Sequence, residues 1–530
     1  MSSGVFAINV TFALLSGVLL GLAFPPADLK WLAWVGLVPL LRAVDQSQRP
    51  RRAFGLGALA GLTFFLITLH PLVSAHAWTG WAVETQAQFA ARLSRQWWFL
   101  HGVWVAFACW GALFWGLWAV GVTRAGTSHW RTLAAAPALW ILVTEWLRSK
   151  TTFNFTWAFL GSAAAEWPAI RQLAALGGVW LLSLLIVLVN VAVAQTIRRD
   201  QGRRQWDVAA VVLGVVIVAW FGGIVRQARS SAAHEGINVA VIQYHKDRYR
   251  LTDFLDIGLD RSYLPMVTKA LKQQAHLIVL PESIALGALS LDGIPSSTKP
   301  KDRQTSRAAW ERQITPWLAG TDAVLVIGLD TVEQGRDHNT LVAWTREGTA
   351  GWYHKRGLVP FSEYIPAGWQ RIAIRGKSQY SPGQGAQLIR VHDLVLGGFI
   401  CQEVLRPELI RESARDGATI LVTGGNDGVF ADPAVARIHE DAAQLRAVET
   451  GRYLVRAMKT GVSAIIDPTG REVVRSKMGE AVLLTSRVSL ETTQTPYVRF
   501  GDWVVWLSLA IMGTFLFPKK IQFLSTPRKK

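Results

Sequence analysis

Apolar residues along this chain follow two different rhythms, and the change between them divides it. As far as about residue 228 they run in long, nearly unbroken stretches, roughly 5–24, 31–45, 54–74, 97–122, 132–147, 173–196 and 207–226. Such runs cross, or nearly cross, a hydrocarbon core of about 30 Å as helices. The second and fifth are short, which leaves their ends the least defined. An eighth run, "VVWLSLAIMGTFLF", lies near 504–517. The first run has no basic n-region and merges into further membrane sequence, so it reads as a span and not as a cleaved leader.

Between about 233 and 490 the apolar runs shorten to strand length. "INVAVIQY", "HLIVLPES", "DAVLVIGLD", "TLVAWTREG", "LVLGGFICQE", "ATILVTGGND" and "YLVRAMKTG" read as strands, and residues 258–274, 304–318, 405–416 and 434–450 as helices between them. That alternation predicts a layered α/β sheet domain. The expected organisation is a multi-span α-helical membrane domain of about eight spans with an α/β domain inserted before the last. Residues 1–228 hold seven transmembrane helices, 233–492 the inserted domain, 503–518 the eighth helix and 519–530 a basic tail.

Composition agrees with this division. Apolar residues make up 51% of the 530 positions and charged residues only 17%, with 25 Trp, a balance foreign to an ordinary soluble enzyme. The net charge of +18 suggests nucleic acid until its distribution is read. Arg42, Arg49, Arg51 and Arg52 follow the second run, Arg124 and Arg131 flank the loop after the fourth, and Arg198, Arg199, Arg203 and Arg204 follow the sixth. Lys519, Lys520, Arg528, Lys529 and Lys530 close the chain. With eight spans all these clusters fall on one side, the cytoplasm by the positive-inside rule. The alternate loops carry fewer bases, such as Lys30, Arg92 and Arg95. The charge therefore reports topology and implies no nucleic acid partner. The inserted domain faces outward, into the periplasm if the cell has two membranes.

That compartment makes the cysteines informative. There are two, Cys109 inside the fourth run and Cys401 in "LVLGGFICQE". A disulfide between them would join a membrane interior to a soluble core, which the geometry disfavours. An unpaired thiol in an oxidising space is either inertly buried or retained for its chemistry. Cys401 ends an apolar strand, and reactive groups at strand ends are where α/β sheets place their sites. Glu282 likewise ends "HLIVLPES", where desolvation raises a carboxylate toward use as a base. Lys355 lies in the aromatic, Pro-containing "GWYHKRGLVPFSEYIP". Glu, Lys and Cys together make an acyl-transfer set of base, oxyanion cation and nucleophile. Taken singly, Glu282 also fits a helix cap and Lys355 a solvated surface base.

The blocks "LPES", "YHKRGLVPFSEYIP" and "GGFICQE" resemble the nitrilase superfamily, which implies a Glu–Lys–Cys triad on an αββα sandwich. More narrowly, the chain is similar nearly end to end to the bacterial apolipoprotein N-acyltransferase family. The likeness includes "GLAFPPADLKWLAWVGLVPLL", "TEWLRS", "LVPFSEYIP" and "TPYVRFGDW". The resemblance implies Glu282 as general base, Lys355 as orienting cation and Cys401 as nucleophile, supported by Glu363, Glu403 and the backbone N–H of Gln402. It also implies a phospholipid acyl donor, a diacylated lipoprotein acceptor, the inner membrane as location, and neither cofactor nor metal. Departures from the family pattern fall at "VIQYHKDRYR", "GGNDGVFAD", "FNFTW" and "TLHPLVSA". They leave the acceptor less defined than the acyl-enzyme, so a divergent paralogue with another amine acceptor is an alternative. A tethered amidase and a non-enzymatic assembly factor are further alternatives, opposed by the many spans and by the intact triad respectively.

Other constellations carry less. "GGNDG" lacks both the GxGxxG spacing and a P-loop lysine. His245, His354 and His392 stand apart in sequence, off metal-ligand spacing. The loop 357–370, with Trp369, has the Gly, Pro and aromatic content of a gate over a lipid site.

Overall fold

The computed structural model describes residues 3–516 except 48, 75–85, 127, 152, 198, 201–202, 205, 231–235, 245–261, 285–287, 293–303, 367–378 and 431. His245, Trp369, most of "VIQYHKDRYR" and the basic tail therefore lie outside the described residues.

The first part is helical: α1 (Ser3–Leu22), a 3-10 turn at Lys30–Trp34, α2 (Val38–Ser47), α3 (Pro50–Thr68), α4 (Gln86–Ala125), α5 (His129–Leu139), α6 (Ala174–Ile197) and α7 (Trp206–Ser230). Pro50 starts α3 at the first helical position, where its missing N–H costs nothing. α5 runs on as a π-helical stretch, Trp140–Leu147, just beyond Pro137. Among the described residues, five helical segments are long and apolar enough to cross a membrane: Gly4–Leu22, Pro50–Ser74, Trp97–Ala125, Ile170–Ile197 and Trp206–Ala228. Of the other three expected spans, α2 and the described part of the eighth run, Trp503–Leu516, are shorter, while the continuous helix over 129–149 is long but falls below the others in apolarity. The ten residues of α2 rise about 15 Å, half a hydrocarbon core.

The inserted domain contains two stacked sheets. Its elements are β1 (Gly236–Gln243), α8 (Leu264–Lys272), β2 (Leu277–Val279), β3 (Ala288–Ser290), β4 (Gln304–Ser306), α9 (Arg307–Ile314), β5 (Val324–Glu333), β6 (Arg336–Thr345) and β7 (Gly348–His354). There follow β8 (Leu388–Val391), β9 (Leu394–Ile400), α10 (Pro407–Arg415), β10 (Ile420–Gly425), α11 (Pro433–Thr450), β11 (Leu454–Met458), β12 (Ala464–Ile466), β13 (Glu472–Arg475) and β14 (Val482–Ser489). The first sheet has the order β14-β1-β2-β5-β3-β4, with β6 and β7 added beside β5; the second runs β8 to β13 in sequence. The chain-central strands are parallel, β1 to β2 to β5 and β9 to β10 to β11, so their C-terminal ends open on common edges.

Alternation along each strand decides the layers. In β1, Val239 and Val241 enter the core between the sheets, while Ala240 and Ile242 turn toward α8. In the second sheet Ile420 and Val422 face the first sheet, and Leu421 packs with Ala443 and Ala447 of α11. The result is the expected αββα sandwich. The sequence reading found seven strands; β7, β8 and the short or half-exposed β3, β4, β12, β13 and β14 are additional.

α11 also joins the two parts. Asp432 caps it by accepting the Ala434 N–H at 2.8 Å, Pro433 opens it, and Gly451 ends it with φ +65°. It is buried along nearly its whole length: Ala442, Ala443 and Ala447 lie on the second sheet, while Val435, Ile438, Leu445 and Val448 pack into the helical bundle. Polar pins flank this contact. Lys30 donates to Asp441 Oδ1 at 2.7 Å, Arg437 to Asp28 at 3.2 Å, and the Val179 N–H to Glu449 at 2.8 Å. Lys30, read from sequence as a loop charge, is thus a buried partner of the inserted domain. α12 (Pro496–Phe500) and α13 (Trp503–Leu516) lead back into the bundle, where Tyr497, Val504 and Val505 are buried.

Candidate active site

Three strand ends converge at the edge of the sandwich. β2 stops before Pro281, which has no N–H to continue the ladder, and Glu282 follows. Both sheets press on this turn. A Cβ on Gly328 of β5 would lie 2.5 Å from the Pro281 carbonyl oxygen, and one on Gly424 of β10 would lie 3.1 Å from Glu282 N. Only glycine allows those approaches, and the buried carboxyl is fixed as a result.

β7 delivers Lys355. Its N–H donates to the Asn339 carbonyl at 2.8 Å and its own carbonyl accepts from Gly383 at 2.9 Å. The side chain is 1% exposed, with Nζ 2.7 Å from Glu363 Oε1. Glu363 Oε2 accepts the Val359 N–H at 2.8 Å, which closes a turn within "LVPFSEYIP". Asn339 Nδ2 donates to Glu282 Oε1 at 2.6 Å and reaches Glu363 Oε1 at 3.4 Å, bridging the two carboxylates. Asn339 went unnoticed in the sequence. Its signal there was a polar run, "DHNT", opening an otherwise apolar strand.

β9 delivers Cys401, whose φ of +54° places an L-residue in the left-handed region at a cost of roughly 1–2 kcal/mol. Glu403 holds that turn. Its carboxylate accepts the Ile400 N–H at 2.7 Å, the Arg356 N–H at 2.8 Å, the Gly357 N–H at 2.7 Å and the Tyr353 hydroxyl at 3.0 Å. It thereby ties the end of β9 to the end of β7. Gly397 and Gly398 admit neighbouring side chains: a Cβ on Gly397 would lie 2.9 Å from Ala418 Cβ, and one on Gly398 2.8 Å from Tyr353 Cγ. Gln402 follows Cys401, and its Nε2 reaches the Gly357 carbonyl at 3.4 Å.

The electrostatics couple the three groups. Burial raises the Glu282 carboxyl above its ordinary value, opposed by Lys355 and reinforced by Glu363. Burial likewise pushes the Cys401 thiol up, and the Glu282 charge adds to it, with Lys355 opposing. Burial disfavours charge on Lys355, but Glu363 and then Glu282 outweigh it and hold the ammonium firmly protonated. The resting site is a neutral thiol beside a desolvated carboxyl and a fixed cation, so a proton leaving sulfur has an acceptor of raised basicity nearby.

Further polar groups lie around this centre. Asp427 of "GGNDG" is fully buried between His439 Nδ1 at 2.8 Å and Arg456 at 2.9 Å, which pins the loop after β10. Lys459, directly after β11, donates to the Ser283 carbonyl at 3.2 Å. His354 does not stand alone. Its ring stacks on His338 at 4.1 Å and 23°, and its Nε2 lies 3.0 Å from Glu333. These three side chains are close enough to share an ion. However, near-parallel rings aim their in-plane lone pairs side by side, whereas a tetrahedral metal needs them to converge. Thr340 on His354 and the Ser381 carbonyl on His338 complete a hydrogen-bonded set that requires no ion.

Comparison with known proteins places this architecture. Residues 16–192 match the family model described as apolipoprotein N-acyltransferase N-terminal domain, and residues 238–496 the carbon-nitrogen hydrolase model. The apolipoprotein N-acyltransferase of Gloeobacter violaceus is 30% identical over 95% of this chain and 93% of its own. The chain belongs to the apolipoprotein N-acyltransferase family. That of Geobacter metallireducens is 28% identical over 94% of this chain and 92% of its own. Among solved structures, an amidase from Nesterenkonia sp. is similar to 53% of this chain and 99% of its own, at 19% identity and a TM-score of 0.38. The first match covers the helical bundle from within α1 to within α6, and the second covers the sandwich from β1 to the start of α12.

Proposed function

We propose that this protein is a membrane acyltransferase that moves a fatty acyl chain from a phospholipid, through a thioester on Cys401, to the N-terminal amine of a diacylglyceryl-cysteine lipoprotein. The observation that carries the reading is the meeting of Glu282, Lys355 and Cys401 at one edge of a sandwich whose helix α11 is embedded in an apolar helical bundle. Chemistry on two lipids needs a catalytic domain fixed to the bilayer, and a full membrane bundle is more than tethering requires.

In the first half-reaction the Cys401 sulfur attacks an ester carbonyl of the donor while Glu282 takes the thiol proton. The Lys355 ammonium and the Gln402 backbone N–H stabilise the oxyanion. The C–O bond breaks, Glu282 returns its proton to the departing alkoxide, and a lysophospholipid leaves. In the second, the acceptor amine attacks the thioester carbonyl and Glu282 takes an amine proton. The C–S bond breaks and the thiol is restored. Glu363 keeps Lys355 charged and aimed; Glu403 keeps Cys401 in its turn.

The location is a bacterial inner membrane with the sandwich on the periplasmic side. Support comes from the loops. Those after α1 and before α6 touch the sandwich through Lys30 and Arg171, whereas Arg42 within α2, Gly126 after α4 and Gln195 near the end of α6 line a separate cavity together. The ends of α4 and α6 that precede basic loops thus meet at a cavity apart from the Lys30 and Arg171 contacts, which supports the orientation that the positive-inside rule gives.

The test is intact-mass spectrometry of the purified protein after incubation with phospholipid, then with a diacylated lipopeptide. A hydroxylamine-labile fatty-acyl increment, absent in Cys401→Ala and passed to the lipopeptide amine, is the expected result. Loading that no lipopeptide discharges overturns the lipoprotein assignment, and rapid discharge to water alone indicates a hydrolase.

A further inference from the structure

We infer that the cavity among α2, α4, α5 and α6 is a binding site for the headgroup of an anionic phospholipid from the leaflet on that side, separate from the catalytic centre and independent of the acyl-transfer reading. The cavity has a volume of about 200 Å³, far more than the ~10–15 Å³ that a single water needs. Its walls are of two kinds. Val44, Val122 and Val191 make an apolar side, while Arg42, Thr123 and Thr132 make a polar one. Arg42 is half-buried there, on a helix of only ten residues.

Charge decides the class of ligand. Both hydroxyls already donate to helix carbonyls, Thr123 to Ala119 at 2.9 Å and Thr132 to Ser128 at 3.2 Å. The donors that remain are guanidinium groups. Arg131 reaches over Gly126, which lines the cavity: its Nη1 is 4.0 Å from where a Cβ on that glycine would lie. Arg124, in the last turn of α4, stands in the chain between Thr123 and Gly126. Among the described residues Arg42, Arg124 and Arg131 form no ion pair, whereas Asp45, the carboxylate in the same wall, is already engaged. Ser128 leaves the N-terminus of α5 without a side-chain cap, so the positive end of the helix dipole adds to this rim. The set favours a phosphate over a neutral or cationic guest. The apolar side favours a phosphate that carries acyl chains over a free ion, because glycerol and the first methylenes can lie along the valines. Basic pockets between helix ends at headgroup depth are a recurring form of site for acidic lipids. A lipid held here ties α2, too short to span, to the ends of α4 and α6.

The experiment titrates the full-length protein, delipidated in neutral detergent, with diether phosphatidylglycerol or diether phosphatidylcholine, whose chains no thioester can take. Native mass spectrometry reads the lipid bound, and thermal unfolding reads the stabilisation that binding brings. Wild type is expected to bind phosphatidylglycerol roughly tenfold more tightly than phosphatidylcholine, the scale of one charge-assisted hydrogen bond, and to gain a higher Tm from it. Arg131→Gln changes an exposed side chain, so it should leave folding and Cys401 loading unchanged while lowering the preference about threefold, the scale of an exposed charge pair. Adding Arg42→Gln should abolish the preference, and lysine at both positions, which keeps the charges, should retain most of it. Equal binding of the two lipids by wild type overturns the inference, as does a preference that survives loss of both arginines. If the double variant does not fold, an unchanged preference in Arg131→Gln alone overturns it. A Tm rise of equal size from inorganic phosphate at the same concentration overturns the lipid assignment, because the site then takes a free anion. None of these failures touches the acyl-transfer reading, which rests on Cys401 loading measured separately.

Discussion

Lys355 Nζ donates to Glu363 Oε1 at 2.7 Å, and this carboxylate, ahead of Glu282, is the main counter-charge of the site's fixed cation. Glu282 is instead bound by the uncharged amide of Asn339. The division leaves one carboxylate paired with the cation and the other desolvated, opposed environments of the kind that push two like groups apart in acidity.

Glu363→Gln and Lys355→Met should each slow acyl loading by at least about 10²-fold, the usual scale for losing a preorganised charge. The double variant should be little worse than either single one, because the two act as one unit. Single-turnover loading followed by mass spectrometry measures this. Additive losses would mean that Glu363 acts separately from Lys355.

Glu403 and Tyr353 separate anchoring from chemistry. Tyr353→Phe removes one of four donors on a buried carboxylate and should cost about 1–3 kcal/mol of stability, with Cys401 still able to load. Glu403→Ala strands three backbone N–H groups and frees the strained turn at Cys401, so it should abolish loading and lower Tm well beyond the Tyr353 variant. Thermal unfolding in detergent beside the loading assay distinguishes them. Equal effects would remove Glu403 from its anchoring place.

The pH profile of loading follows from Glu282. Its carboxyl is raised by burial, and only its ionised form accepts the thiol proton. The rate should therefore fall as pH drops through a value above the ordinary 4.5. Asn339→Ala withdraws a hydrogen bond that favours the charged form, so it should move that limb to still higher pH. A limb at the ordinary carboxylate value, unmoved by Asn339→Ala, would argue against Glu282 as the base.

The contact of Lys30 with Asp441 should be felt as stability. Burial raises Asp441 to about 6, with Lys30 opposing, so above that pH a buried carboxylate depends on its cation. Lys30→Met removes the cation and should cost about 3 kcal/mol at pH 8, the scale for a broken buried pair. The deficit should shrink at pH 5, where Asp441 takes up a proton and no longer needs a partner. Asp441→Asn should be the milder change at pH 8. Denaturation at both pH values tests the sign.

The sequence by itself determined much of this protein. Long apolar runs can satisfy their backbone in lipid only as helices, and period-two alternation such as Val239 to Ile242 can bury two faces only in a layered sheet. Glu282 and Cys401 stand out as candidates because each follows an apolar strand, where a reactive group is conspicuous, whereas Lys355 stands out only beside them, as the cation of an acyl-transfer set. Span lengths were less legible, since α2 ends where packing and turns dictate and not where hydropathy does. Tertiary structure alone decided what lies across the strands. Asn339 between two carboxylates, His338 on His354, and Glu403 as an anchor rather than a partner of Lys355 depend on register between β5, β6, β7 and β9, which no linear spacing encodes. The same holds for α11: its apolar residues point all round, a pattern that tells of burial but not of which two surfaces bury it.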